Sequence, residues 1–217
     1  MPTCLMSWGA RSALDVGCGT GVLGHMLLER GYRVVGVEPA GAMIERARRV
    51  PGADRARWVH GYLEDALPVK VDAVTMTANT AMVFADDDQW AGVLQRCRAA
   101  LDVGGHLVFE ARIREVEAWR SWGEKGLPHQ FDAGHYGQVS SSTTIDEVTH
   151  RAQVDLVTFT NIDELSSGEQ IRAVSTLAFR SRSSIEAALG VAGFDVSEVR
   201  DAPDRPGRQW VFVARAI

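Results

Sequence analysis

The chain has 217 residues, 46% hydrophobic and 24% charged, a composition that suits one globular domain with a sizeable core and excludes a disordered or fibrous protein. A net charge of -5 without a long basic run excludes a general phosphate-backbone binder, so no nucleic-acid partner is expected. No apolar stretch is long enough for a bilayer, the first dozen residues lack signal-peptide character, and Cys4, Cys18 and Cys97 have neither metal nor disulfide spacing; a cytoplasmic protein without membrane contact or metal is expected.

The first half alternates strand and helix signals. Residues 13–16 read as a strand that runs into a glycine-rich turn, and 22–30 as a helix closed by Gly31. A β-branched run at 32–38 is the second strand, after which Pro39 is placed to open a helix whose apolar face holds Met43, Ile44 and Ala47. Strands follow at 57–60 and 71–77, then a helix at 87–101, and Gly104-Gly105 introduces a fifth strand at 106–112. Strands separated by helices of this length predict parallel pairing with right-handed crossovers, hence a doubly wound α/β sheet. Beyond it the pattern changes. Segments 137–149, 153–162 and 170–180 are rich in Val, Thr, Ile and Phe and predict an antiparallel three-strand set inserted after strand five. A helix capped by Ser183 or Ser184 follows, and 194–200 and 209–214 supply a closing hairpin.

The turn Gly19-Thr-Gly-Val-Leu-Gly24 satisfies a dinucleotide-binding pattern, with Glu38 about 20 residues on, which keeps a nicotinamide oxidoreductase open. Asp15 opposes that reading, because a carboxylate at the strand end repels a pyrophosphate and attracts an ammonium or sulfonium group. Leu14-Asp-Val-Gly-Cys-Gly-Thr-Gly21, Val35-Gly-Val-Glu38 and Leu101-Asp-Val-Gly-Gly-His-Leu-Val-Phe109 resemble three motifs of the class I S-adenosylmethionine-dependent methyltransferases. The likeness is close over 13–112 and loose over 183–217. It implies a Rossmann-like seven-stranded sheet, mostly parallel with the last strand antiparallel, as a single domain spanning 1–217. Residues 113–182 would form an inserted substrate-side or dimerisation subdomain.

The resemblance implies roles for individual residues. Gly17, Gly19 and Gly21 would pass beneath the methionine part of S-adenosylmethionine, and Asp15 would orient its ammonium. Glu38 would accept both ribose hydroxyl protons, with Pro39 and Met43 against the adenine. The family has an acid after strand three; here Tyr62 stands there, so Leu63 would cover the ring and Glu64 or Asp65 would take its amino group from a shifted register. After strand four, Asn79 and Thr80 are candidates to contact cofactor and substrate. The chain lacks the Asn/Asp-Pro-Pro-aromatic and Pro-Cys motifs of nucleic-acid base methylases.

Arg112, Trp119, Trp122, His129, Phe131, His135 and Tyr136 are the expected acceptor wall, with His129, His135 or Tyr136 as a base; the competing expectation is that the two tryptophans simply pack on a helix face against the sheet. Only residues 1–12 precede the first motif, where many members place lid helices; the insertion, a partner subunit in a homodimer, or an upstream segment would then cover the site. The expected activity is methyl transfer to an O or N atom of a small molecule. A nicotinamide oxidoreductase and a non-catalytic cofactor-binding relative are the alternatives.

Overall fold

The computed structural model describes residues 8–122, 128–134 and 137–217. Eleven strands lie among them in two sheets. The larger contains β1 (Ser12–Val16), β2 (Arg33–Glu38), β3 (Arg57–His60), β4 (Val71–Met76), β5 (Leu101–Arg112), β10 (Phe194–Asp201) and β11 (Gln209–Ala216). Their order is β10-β11-β5-β4-β1-β2-β3, and β11 alone runs antiparallel, against both β5 and β10. This is the doubly wound sheet that the alternating strand and helix signals anticipate, with the antiparallel last strand.

Side chains alternate along each strand, so the sheet feeds two cores. Leu14, Val74, Leu107, Phe109 and Phe212 face α4 (Asp87–Ala100) and α5 (Arg182–Val191), meeting Trp90, Leu94, Ile185 and Leu189. Ala13, Val34, Ala73, Val108 and Val213 face the other way, onto α1 (Val22–Glu29) and α2 (Gly41–Arg49) through Leu23, Leu27, Ile44 and Ala47. No helix among the described residues is long and apolar enough to cross a membrane.

Several boundaries differ from the sequence expectation for local reasons. Strand β5 begins at Leu101, directly after α4, and Gly104-Gly105 lies inside it; the register against β4 jumps between Val71↔Leu101 and Ala73↔His106, so the glycines accommodate an irregularity within the strand. Pro39 precedes α2, whose N-cap is Ala40, because Glu38 needs the Ala40 N–H as a partner. The cap of α5 is Ser181, whose hydroxyl accepts from the Ser184 N–H at 3.2 Å. Trp119 lies on a short 3-10 turn, Ala118–Ser121.

The second sheet is the inserted antiparallel set, with four strands in place of the expected three: β6 (His129–Asp132), β7 (Gln138–His150), β8 (Val154–Leu165) and β9 (Gln170–Arg180). Strand β6 has four exposed residues and no alternation, so nothing in its sequence marks it. The sheet seats on the larger body through Phe179, fully buried, which meets Trp119 edge-on at 4.4 Å between ring centroids and packs with Met82 and Val157. At the strand's end, Arg180 donates to the Phe84 carbonyl (2.8 Å) and to Asp87 (3.0 Å) beneath the Trp90 ring.

Removing the Phe179 ring leaves a hole at this seat. Phe179→Ala is expected to cost about 3–5 kcal/mol in equilibrium urea unfolding. A loss below about 1 kcal/mol would mean that the ring carries little of the packing.

Candidate functional site

The carboxyl ends of β1, β2 and β4 converge on a cavity of about 740 Å³, within the range of small-molecule sites. Its lining includes Gly17, Glu38, Pro39, Tyr62, Leu63, Glu64 and Thr80 from the expected residues. It also includes Gly61, Val83, Phe84, Asp88, Gln89 and Arg96, which the motifs did not mark. A crevice beyond strand ends, where strand order reverses from β1 to β4, is where open α/β sheets bind ligands.

The floor is shaped by backbone that lacks side chains for a reason. Gly17 has φ +67°, and a Cβ there would sit 2.6 Å from the Thr80 methyl. Gly21 caps α1 at φ +79° without a side-chain hydrogen bond, and a Cβ there would meet Trp58 at 2.8 Å. Glycine at these positions lets the turn pack against Thr80 and Trp58, and Gly17 itself lines the cavity with bare backbone.

Glu38, at the end of β2, is fixed from both sides. Its Oε2 accepts from the Gly19 N–H at 3.1 Å and its Oε1 from the Ala40 N–H at 3.0 Å. Each oxygen keeps a further lone pair, so the carboxylate can receive a pair of hydroxyl donors without moving.

Asp15 is fully buried at the end of β1. Thr75, across the β1–β4 pairing, donates to its Oδ1 at 2.7 Å, and Oδ2 has no partner. Burial pushes the carboxyl up to about 7, against the lowering by Thr75 and with a smaller rise from the Glu38 charge. A buried acceptor without a donor is costly unless a ligand supplies one. Cys18 between the two acids is pushed up to about 12, by burial first, which keeps its thiol neutral.

At the far end, β4 gives way to Ala78 and Asn79 with φ of +52° and +65°, then the 3-10 turn Thr80–Val83. The Thr80 hydroxyl donates to the Thr77 carbonyl at 2.7 Å, and Asn79 Oδ1 is buried without a partner. Around the opposite end, Asp65 accepts from the Tyr62 N–H at 2.8 Å and closes the turn into the short helix α3 (Leu63–Ala66). Glu64 instead reaches Arg96 at 3.7 Å, and both line the cavity. Tyr62 is two-thirds exposed (66%) at its mouth.

Other expected residues fall elsewhere. Asp15, Gly19, Gly21, Met43 and Asn79 are outside the lining; Asp15 is buried and Met43 is exposed on α2. Trp119 is buried in the seat of the second sheet, and Trp122 beside it meets Phe159 and carries the Arg112 guanidinium over its ring. His129 and Phe131 are exposed on β6, three strands from β9, the strand that packs against the Thr80–Val83 turn. His135 and Tyr136 lie outside the described residues. Thr75 escaped sequence reading, although its place one strand over from Asp15 was implicit in the pairing of β1 with β4.

Comparison with known proteins agrees with this geometry. A family model described as a methyltransferase domain matches residues 13–105. A ubiquinone biosynthesis O-methyltransferase of Idiomarina loihiensis is 31% identical over 115 residues, covering 50% of this chain and 45% of that protein. The chain thus spans about half the length of the curated relatives it matches. Among solved structures, an S-adenosylmethionine-dependent methyltransferase of Clostridium acetobutylicum superposes with a TM-score of 0.74 at 14% identity, covering 99% of this chain and 88% of that one. A sugar N-methyltransferase of Streptoalloteichus sp. gives 0.70 at 24% identity, covering 99% and 84%. At these identities the structural likeness establishes the fold, second sheet included. The matched domain lies over the glycine turn, Glu38 and the buried Asp15, so this part of the chain is similar to a methyltransferase domain on a fold shared with methyltransferases.

Proposed function

We propose that the chain transfers a methyl group from S-adenosylmethionine to an O or N atom of a small molecule. The observation that carries this is a pair of carboxylates: Glu38 in the cavity wall, held by two amides for a diol, and Asp15 buried just behind the wall residues Val16 and Gly17 with one oxygen lacking a donor. A dinucleotide would bring its pyrophosphate to the glycine turn, against Asp15. Support for a small acceptor comes from the relatives, one named for ubiquinone biosynthesis and one for sugar N-methylation.

When bound, S-adenosylmethionine supplies an electrophilic methyl on a sulfonium. The chain's own part is alignment. Glu38 holds the ribose hydroxyls, Asp15 the ammonium, and Pro39, Tyr62 and Leu63 flank the base, while Glu64 offers an acceptor beside it. Gly17 lets the backbone pass close, with Thr80 and Asn79 bounding the end where methyl and acceptor meet. Fixing two reactants in line supplies about 7–11 kcal/mol of a barrier. A neutral amine acceptor needs no base before attack, whereas a hydroxyl would have to lose its proton.

Calorimetric titration tests the reading. S-adenosylhomocysteine is expected to bind, NAD not to bind, and Glu38→Ala to weaken S-adenosylhomocysteine by roughly tenfold or more, the scale of a lost charge-assisted pair of hydrogen bonds. NAD binding alone would sink the proposal.

Asp15 gives a second test. The folded protein keeps this proton where the unfolded chain has released it, so its contribution to stability falls as pH rises from 3.8 through about 7. An ammonium favours the charged carboxylate instead. Affinity for S-adenosylhomocysteine is therefore expected to rise with pH through about 7, and Asp15→Asn to remove both that rise and the matching decline in thermal stability. An unchanged pH profile in Asp15→Asn would assign the titration to another group.

A further inference from the structure

Among the described residues, four buried side-chain atoms have no hydrogen-bond partner: Asp15 Oδ2, Trp90 Nε1, Asn79 Oδ1 and Arg112 Nε. The first belongs to the residue preceding Val16 and Gly17 of the cavity wall, and the Trp90 ring lies against the Arg180 guanidinium. The other two flank one turn. Asn79 is the N-cap of Thr80–Val83, and the Arg112 N–H donates to the Met82 sulfur of that turn at 3.4 Å. Thr80 of the same turn lines the cavity, so Arg112 stands just beyond the end where methyl transfer is proposed.

Arg112 is partly buried with its guanidinium laid over Trp122, 5.4 Å from the ring centroid. Two more arginines reach it from the turn between β10 and β11. Gln209 pairs with Arg112 across the sheet, its Oε1 accepts from Arg205 at 2.8 Å, and the Arg208 carbonyl accepts from the Ile113 N–H at 3.0 Å. Burial and then the Arg205 and Arg208 charges hold the Arg112 guanidinium below its usual range. None of the three makes an ion pair among the described residues. Glu110, the nearby acid, is occupied by Gln209 Nε2 at 2.9 Å and by the Ala78 N–H. Three arginines are gathered here against two acids, Glu110 and Asp204, and Arg112 carries an orphaned donor against an aromatic platform; the excess cation suits a planar or tetrahedral oxyanion.

We infer that the methyl acceptor carries an oxyanion, a carboxylate or a phosphate, which Arg112 binds with Arg205 and Arg208 while the nucleophile lies towards Asn79 and Thr80. This rests on the methyltransferase reading for the identity of the ligand, but not for the anion site itself, because Arg112 is outside the cofactor cavity.

Inorganic phosphate and acetate, titrated at low salt into the protein with and without S-adenosylhomocysteine and followed by NMR, test it. Saturable binding of one anion is expected, and the one that saturates names the group. Arg112→Gln should weaken it at least tenfold and Arg208→Gln, on an exposed turn where folding is not at stake, about threefold, with S-adenosylhomocysteine affinity unchanged in both. No saturation by either anion, or equal binding in both variants, would overturn the inference. Loss of S-adenosylhomocysteine binding by the wild-type protein would instead refute the cofactor reading and leave the anion result to stand by itself.

Discussion

A carboxylate that has left water but keeps one oxygen unsatisfied is the constraint around which this structure is arranged. Asp15 is the penultimate residue of an interior strand, β1, with every neighbour on that strand buried, and only Thr75 answers it. The strand order makes that meeting possible, because β1 lies between β2 and β4 and so brings Asp15 beside Thr75 on one side and close to Glu38 on the other. The folded protein is least comfortable when that carboxyl is charged, because burial removes water and Thr75 satisfies only one of its oxygens.

The second sheet obeys a different logic. Its first strands are largely polar, and Val157 and Phe179, with Ile145, Val148 and Leu177 beside them, seat it against Trp119 and Met82. The tryptophans that could be read as an aromatic substrate wall are largely consumed by this packing: Trp119 is 3% exposed, and Trp122 offers one face to Arg112. Aromatic residues near a site serve it here by holding the wall up and by presenting a cation.

What could be read from the sequence follows from how local the cause is. The glycine turn, Glu38 and Asp15 stand out because their spacing is set by one strand and its exit, and the β-branched runs of β2, β4 and β11 mark a sheet buried on both faces. Gly104-Gly105 looked like an entry to a strand and is an irregularity inside one, since only the partner strand reveals the register. Strand β6 is invisible alone because its pairing with β7 makes it a strand. The cavity wall from Asp88, Gln89 and Arg96 belongs to a helix whose N-terminus is aimed by Asp86, and nothing in its own pattern tells which crevice it closes. The arginine cluster was half legible: Arg112 was in view, whereas Arg205 and Arg208 arrive through an antiparallel hairpin nearly a hundred residues later.

Arg180 has a thermodynamic consequence. It is the last residue of the inserted sheet, yet its guanidinium grips Phe84, which lines the cavity, and Asp87, next to Asp88 of its wall. The cavity and the second sheet thus share a mechanical element, buried (5% exposed) and bonded to both sides. Any free energy spent in moving the second sheet at this seat is therefore felt, with equal magnitude, at the cavity wall that the same arginine grips.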